Sequence, residues 1–335
     1  MDALSDALRA VKLSGAVYLT AEFSAPWCVE GRVDAVLFAA YLPAYKRLVA
    51  YHLVVEGTLH AQITGDDASA IEVVAGEILV IPQGETHRLA SARGLRPTSF
   101  AQVAADEVET SPGEVMNLSY GGGGARTRII CGFLACDDVL SNPLIASLPH
   151  IFKVDVRKGG SAWLESSLRF AAEEVGASKA GRAIVLAKLS ELLFVEVVRR
   201  YVDTLPEGQK NWLAGLRDRF LGRALQLLHR NPARAWTVDE LAREVGLSRS
   251  ALAQRFSEYL DQPPMQYLAQ WRLLVAAQQL RDGMAPITDV ASDAGYESEA
   301  AFNRAFKREF GLPPAGWRRR EREASGRAGG PIVRQ

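Results

Sequence analysis

The sequence predicts a multidomain chain: an all-β sandwich or barrel, then a helical hairpin, then an all-α double helix-turn-helix domain. Three observations carry that order. Short apolar or alternating runs, separated by Gly, Pro, Asp and Ser turns, fill residues 15 to about 157. From about Ser161 the apolar positions recur three and four apart. Beyond residue 211 a short helix, a small-residue turn and a second helix occur twice, about fifty residues apart.

Bulk properties bound what such a chain does. Its 335 residues, 48% hydrophobic and 23% charged, suit two or three soluble domains. The apolar run Ala183 to Val198 is broken by Lys188, Ser190, Glu191 and Glu196 and is too charged to cross a bilayer. The opening MDALSDALRAVKL mixes acids and bases without the pattern of a secretory signal, so a cytoplasmic chain is expected, with no membrane partner. Three unevenly placed cysteines, Cys28, Cys131 and Cys136, suit a reducing compartment. The net charge is zero, but residues 1–211 carry 20 Lys/Arg against 25 Asp/Glu and residues 212–335 carry 19 against 14. That asymmetry points to nucleic acid at the C-terminal end, where positive charge attracts phosphate.

The β-rich region is read from the runs VDAVLFAAY, RLVAYHLVVEG, TLHAQIT, IEVVAGEILVIP and RTRIICGFLA. YGGGGA at 120–125 is an external loop. The hairpin follows as two helices joined near Gly176 to Gly181. Its second helix spreads Ile184, Leu186, Leu189, Leu192, Leu193, Val195 and Val197 over a wider arc than a lone surface helix needs. A dimerisation arm, and hence a homodimer, is expected. LPEGQKN at 205–211 reads as linker.

In TVDELAREVGLSRSALAQRFSEYLDQ, Thr237 and Glu240 form a capping box that opens a helix. Leu241, Ala242 and Val245 make its apolar face, Gly246 allows the turn and Ser248 caps the next helix, whose Phe256 and Tyr259 point to the core. The grammar recurs in ITDVASDAGYESEAAFNRAFKREFGLPP, with Val290 and Ala291 inside, Gly295 at the turn, Ser298 as cap and Phe306 in the core. Between them PMQYLAQWRLLVAAQQLRDG predicts a helix of roughly 17 residues, about 25 Å long. Such a spacer sets the two second helices about one duplex turn apart, so that each enters a major groove. By side-chain chemistry Gln254 and Asn303 suit adenine and Arg304 suits guanine. Arg249, Arg255, Lys307 and Arg308, with the cap residue Ser298, are assigned to phosphates.

Residues 212–320 resemble the paired helix-turn-helix domain of AraC/XylS-family bacterial transcription regulators. The most diagnostic stretch holds Gly295, Tyr296, Ser298, Phe302, Arg304, Phe306, Lys307, Phe310, Gly311 and Pro314. The resemblance implies double-stranded promoter DNA and RNA polymerase as partners, and base contacts from Ser250, Ala253 and Gln254 in the first unit and Ala300, Asn303 and Arg304 in the second. The small side chains at 253 and 300 offer only apolar contact. Upstream, PWCVEG, YHLVVEGTLHA, VVAGEILVIPQGETHRL and RIICGFLACDD are similar to the cupin-like sensor domain attached to some of these regulators. The chain is then divided into a cupin-like barrel (1–158), a helical connector and dimerisation arm (159–205), a linker (206–211), the AraC-type DNA-binding domain (212–320) and a flexible tail (321–335).

Pro82, Gly84 and His87 form a short pattern that turns the chain at a barrel rim and returns the histidine inward. The full cupin ligand set is missing, leaving a reduced set of His52, His87 and Cys131 whose two nitrogens and one sulfur suit zinc. Satisfied interior histidines with a buried thiol, or a metal-free ligand site, are the alternatives. Cys28, Cys131 and Cys136 are the candidates for redox sensing. The expected whole is a sequence-specific transcription activator that answers a small-molecule, metal or redox effector, and not an enzyme. Two readings compete with it: a constitutive DNA-binding regulator with a structural barrel, and a metal-dependent cupin enzyme fused to a DNA-binding domain.

Overall fold

A computed structural model describes residues 2–10, 13–32, 47–107, 116–136, 143–157, 162–175 and 180–327; the run VDAVLFAAY, expected as a strand, lies outside them. The first strands are β1 (Leu13–Ser24), β2 (Cys28–Gly31), β3 (Arg47–Glu56), β4 (Thr58–Ile63), β5 (Ile71–Val74) and β6 (Glu77–Ile81). There follow β7 (His87–Ala90), β8 (Thr98–Ser99), β9 (Met116–Gly121), β10 (Arg126–Cys136) and β11 (Phe152–Asp155). The helices up to the expected linker are α1 (Ala3–Ala10), α2 (Phe100–Glu107), α3 (Pro143–Ser147), α4 (Ala162–Val175) and α5 (Arg182–Thr204). Beyond it come α6 (Trp212–Arg217), α7 (Arg219–Arg230), α8 (Val238–Val245), α9 (Arg249–Leu260), α10 (Pro264–Asp282), α11 (Ile287–Asp293), α12 (Glu299–Phe310) and α13 (Pro314–Arg327).

The described residues within 13–138 and 149–203 form a β-rich unit, and those within 1–12, 139–148 and 204–335 form a helical unit. In the β-rich unit six strands run β11-β6-β3-β10-β1-β9 and five run β5-β4-β7-β2-β8. The expected barrel is therefore corrected to a sandwich of two open sheets: among the described residues no strand of one sheet pairs with a strand of the other. Closure needs strands long enough to tilt and stagger around an axis. Here β2, β5 and β7 have four residues each and the edge strand β8 only two. Alternation in sequence marks a strand's inner face but carries no information about its edge partners. One core fills the sandwich, with Leu19, Val54, Ile129 and Phe133 from the six-stranded sheet and Val29, Leu59, Ala61 and Leu89 from the other.

Helix α5 covers the outer face of the six-stranded sheet. Leu186, Leu193, Phe194 and Val197 meet Leu53, Ile78, Val80, Ile130 and Leu134, leaving a cavity of only about 30 Å³. Tyr51 crosses its neighbouring strand to hydrogen-bond Ser190 on α5, hydroxyl to hydroxyl at 2.7 Å. It does so over Gly132, where a Cβ would lie 2.1 Å from the Tyr51 ring. No other residue fits beneath it. Arg200 then donates to the carbonyls of Asp155 and Val156, fastening the end of α5 beside β11.

The helical unit is built from local signals. Thr237 and Glu240 close the capping box on α8, with Glu240 N–H donating to Thr237 Oγ1 at 3.2 Å and Thr237 N–H to Glu240 Oε2 at 3.0 Å. Gly246 (φ 77°) ends α8 and Ser248 caps α9. The second unit repeats this with Gly295 (φ 76°) and the Ser298 cap on α12. Leu252 and Phe256 are buried in the first unit, and Phe302, Phe306 and Phe310 pack edge-on or tilted in a series that ends on Trp317 of α13 in the second. Helix α10 has 19 residues, so it spans about 28 Å. Beside it the Tyr267 hydroxyl accepts from Trp212 Nε1 at 2.9 Å and donates to His229 Nε2 at 2.7 Å. Burial pushes the His229 imidazole down to about 3, so it is neutral where it stacks on Trp271. Helix α1 joins this unit too, with Ala3 and Ala7 buried and α7 as its main neighbour. Of the tail expected at 321–335, residues up to Arg327 continue α13 and 328–335 lie outside the described residues.

Candidate functional site

The two second helices present similar faces. On α9, Leu252 and Phe256 point into the core, which turns Arg249, Ser250 and Gln254 to solvent and leaves Ala253 half-exposed. On α12, Phe302 and Phe306 do the same for Ala300, Arg304, Lys307 and Arg308, with Asn303 half-buried beside them. Each face is wide enough to lie in a major groove, because the buried side chains occupy the opposite arc.

Several of these side chains have partners within the chain. Gln254 Nε2 donates to Glu258 Oε1 at 2.8 Å, and Asn303 Nδ2 to Glu299 Oε1 at 3.4 Å. Arg249 pairs with Asp239 at 3.1 Å. All three pairs are exposed, so each exchanges readily with water or another acceptor. Arg255 differs: it pairs with Asp218, the cap of α7, and its guanidinium lies 4.9 Å from the Phe220 ring centre. That residue braces α9 against α7.

The β-rich unit brings together the three residues expected to hold zinc, but in another geometry. His52 Nδ1 lies 2.9 Å from Cys131 Sγ, His52 Nε2 lies 2.9 Å from His87 Nε2, and His87 Nδ1 lies 2.8 Å from the Glu85 carbonyl. The carbonyl can only accept, so His87 carries its proton on Nδ1. His52 must then donate through Nε2, and Cys131 donates its thiol proton to His52 Nδ1. Burial holds both imidazoles in the neutral form and pushes the Cys131 thiol up. The expectation of zinc is overturned. The two nitrogens of His52 point to opposite sides of one ring, so Cys131 and His87 stand in a line through it and do not converge on a point. Among the described residues no group of three His, Cys, Asp or Glu side chains is placed to hold a metal ion.

This chain of hydrogen bonds has a structural origin. His52 and Cys131 are cross-strand neighbours on β3 and β10, while His87 comes from β7 in the facing sheet. Gly84 (φ 62°) makes the turn that returns His87 inward, and a Cβ there would meet the Leu48 carbonyl oxygen at 2.4 Å. A cavity of about 50 Å³ adjoins the three residues, lined otherwise by Leu19, Phe23, Val29, Gly31, Arg32, Leu89, Phe100 and Ile129. Of the redox candidates, Cys28 lies buried in the five-stranded sheet, opposite Ala90, with its thiol pushed up by burial. Cys136 closes β10, and its side chain lies outside the described residues.

Comparison with known proteins agrees with both units. A cupin family model matches residues 2–203, and a helix-turn-helix domain model matches residues 241–320. An AraC-like transcription regulator of Streptomyces lividans is 30% identical over 95% of this chain and 98% of its own length. The chain belongs to the AraC-type family of transcription regulators. It is a DNA-binding regulator with an N-terminal cupin-like domain. The transcriptional regulator AlkR of Acinetobacter baylyi is likewise 30% identical, over 95% of this chain and 99% of its own length. The RCS-specific activator RclR of Escherichia coli is 26% identical over 82% and 86%. Among solved structures, a transcriptional regulator with an AraC-type DNA-binding domain from Chromobacterium violaceum covers 35% of this chain and 98% of its own, at 26% identity and TM-score 0.30.

Sequence reasoning missed three residues that bond within the helical unit of this AraC-type regulator. Asp218, Glu258 and Arg272 act through partners 37, 4 and 40 residues away. Only Glu258, at helical spacing from Gln254, left a local signal.

Proposed function

We propose that this AraC-type regulator binds promoter DNA through both helix-turn-helix units and activates transcription, together with RNA polymerase, in response to an effector held by the β-rich unit. The observation that carries this reading is the repeated polar face of α9 and α12 over closed apolar cores. Ser250, Ala253 and Gln254 read bases in one groove, and Ala300, Asn303 and Arg304 in the next. Arg249, Ser298, Lys307 and Arg308 contact phosphate, and Arg255 contributes charge nearby while bracing α9. RclR, a relative, is named as an activator, which favours activation.

The effector enters beside His52, His87 and Cys131. The adjoining cavity of about 50 Å³ exceeds the roughly 10–15 Å³ that one enclosed water needs, and its largely apolar lining suits a small, largely apolar molecule. Burial disfavours the thiolates of Cys28 and Cys131, so a bound molecule is favoured over oxidation. Burial keeps the Cys131 thiol protonated and His52 neutral although the two are hydrogen-bonded, which favours regulation by binding over catalysis. Ile184 and Leu192 of α5 are 70% and 52% exposed, and with Trp163 and Phe170 of α4 they offer a surface for a homodimer. No described helix is long and apolar enough to cross a membrane; the protein works in the cytoplasm.

Footprinting of the full chain on duplexes it selects from a randomised library, with sedimentation of the same sample, tests this reading. Two protected major grooves per bound protomer, on one face of the duplex, and a dimer lost in Leu192→Glu, are expected. Protection of a single groove per protomer contradicts the two-helix reading.

A further inference from the structure

The two helix-turn-helix units are joined through α10, and Arg272 sits near its midpoint. Its guanidinium donates from Nε to the Pro232 carbonyl at 2.7 Å and from Nη2 to the Arg234 carbonyl at 2.9 Å. Both carbonyls belong to the connection between α7 and α8, which leads into the first unit. The turn of the second unit lies against the same connection. A Cβ at Gly295 would fall 2.8 Å from both Cα and O of Ala233 and 3.0 Å from Arg272 Nη2. One half-buried guanidinium thus stands where the entry of the first unit meets the turn of the second, with the Tyr296 ring near enough for the two to interact.

That arrangement bears on how a two-part reader meets DNA. A helix alone holds two bodies at a fixed distance along its axis but resists their rocking about it poorly. A planar fork bonded to two carbonyls resists rocking, because both bonds cannot keep their geometry while the connection rotates. Glycine at 295 makes the same contact from the other side by allowing backbone to touch backbone.

We propose that Arg272 is the positioning residue that locks the two helix-turn-helix units into one rigid reader, and so sets the base-pair spacing accepted between the two half-sites. The proposal rests on the reading that α9 and α12 both enter DNA. One inserted base pair moves the second half-site about 3.4 Å along the axis and about 34° around it. A locked reader cannot follow that displacement, whereas a loosened one can.

The test uses the full chain, a duplex it selects from a randomised library, and versions of that duplex with one or two base pairs inserted between the half-sites. Affinities are measured at fixed salt for the unmodified protein, Arg272→Lys and Arg272→Ala, with thermal unfolding to identify the folded variants. The unmodified protein is expected to lose on the order of 30-fold in affinity for one inserted base pair. Arg272→Ala should lose only about 5-fold or less, with Arg272→Lys between them, since an ammonium cannot span both carbonyls. If Arg272→Ala unfolds, Arg272→Lys carries the comparison. A folded variant with the spacing profile of the unmodified protein overturns the proposal and leaves Arg272 a stabilising residue only. An unmodified protein indifferent to insertion overturns the two-groove reading, and the proposal with it.

Discussion

The interior of the β-rich unit and the surface of the helical unit hold polar residues in opposite ways. Inside the sandwich, His52, His87 and Cys131 are bonded to one another and to a carbonyl, and every proton in the series has an acceptor. On α9 and α12, Gln254, Asn303 and Arg249 have exposed partners that are easily exchanged. The surface cluster, and not the interior one, is therefore poised for a macromolecule. Interior polar groups that satisfy each other fix a core, whereas exposed polar groups on a rigid apolar base remain available.

The comparison breaks most visibly where the apolar base is removed. Phe306→Ala deletes a fully buried ring packed on Phe302, Phe310 and Trp317 and should cost about 3–5 kcal/mol in urea unfolding. Specific DNA binding should disappear with it.

Acid separates the two regions next. His52, His87 and His229 are held below the usual imidazole range by burial, so the folded chain binds fewer protons than the unfolded one. Their contribution is complete above about pH 6.5 and declines as pH falls below it, by up to about 1.4 kcal/mol per pH unit for each group. For His229 the decline continues to about pH 3. Urea midpoints measured from pH 7.5 to pH 5 should therefore fall, and His229→Leu should shallow the fall in the helical unit.

Smaller effects sharpen the assignment of the surface. Arg304→Ala should relax one base position by about 1–3 kcal/mol while leaving the unfolding midpoint unchanged. Equal loss on specific and random duplex would place the side chain on phosphate instead. Thr237→Ala removes the cap on α8 and should lower stability by about 1 kcal/mol, read from thermal unfolding. Chelator treatment should change neither unfolding nor DNA affinity, because His52 uses both ring nitrogens inside its own hydrogen-bond chain.

What was legible in the sequence was what local chemistry decides. Thr237 with Glu240, Ser248, Ser298 and the glycines at 246 and 295 each mark a helix end within four residues, and all stand where their spacing implied. Strands β3, β4, β5, β6 and β10 were legible as apolar or alternating runs, whereas β1, β2, β7, β8, β9 and β11 and the open edges were not, since edge pairing depends on residues far apart in sequence. His52, His87 and Cys131 were found as a group, yet their arrangement in a line depends on two sheets facing each other across an imidazole. Arg272 left no signal, because the carbonyls it binds lie 40 and 38 residues away.

A hydroxyl-radical footprint of the full chain on its selected duplex shows whether two preorganised helices read adjacent major grooves. Two protected segments per bound protomer, on one face of the DNA and about one helical turn apart, are expected. A single protected segment per protomer, or protection that is the same on random duplex, would contradict that reading.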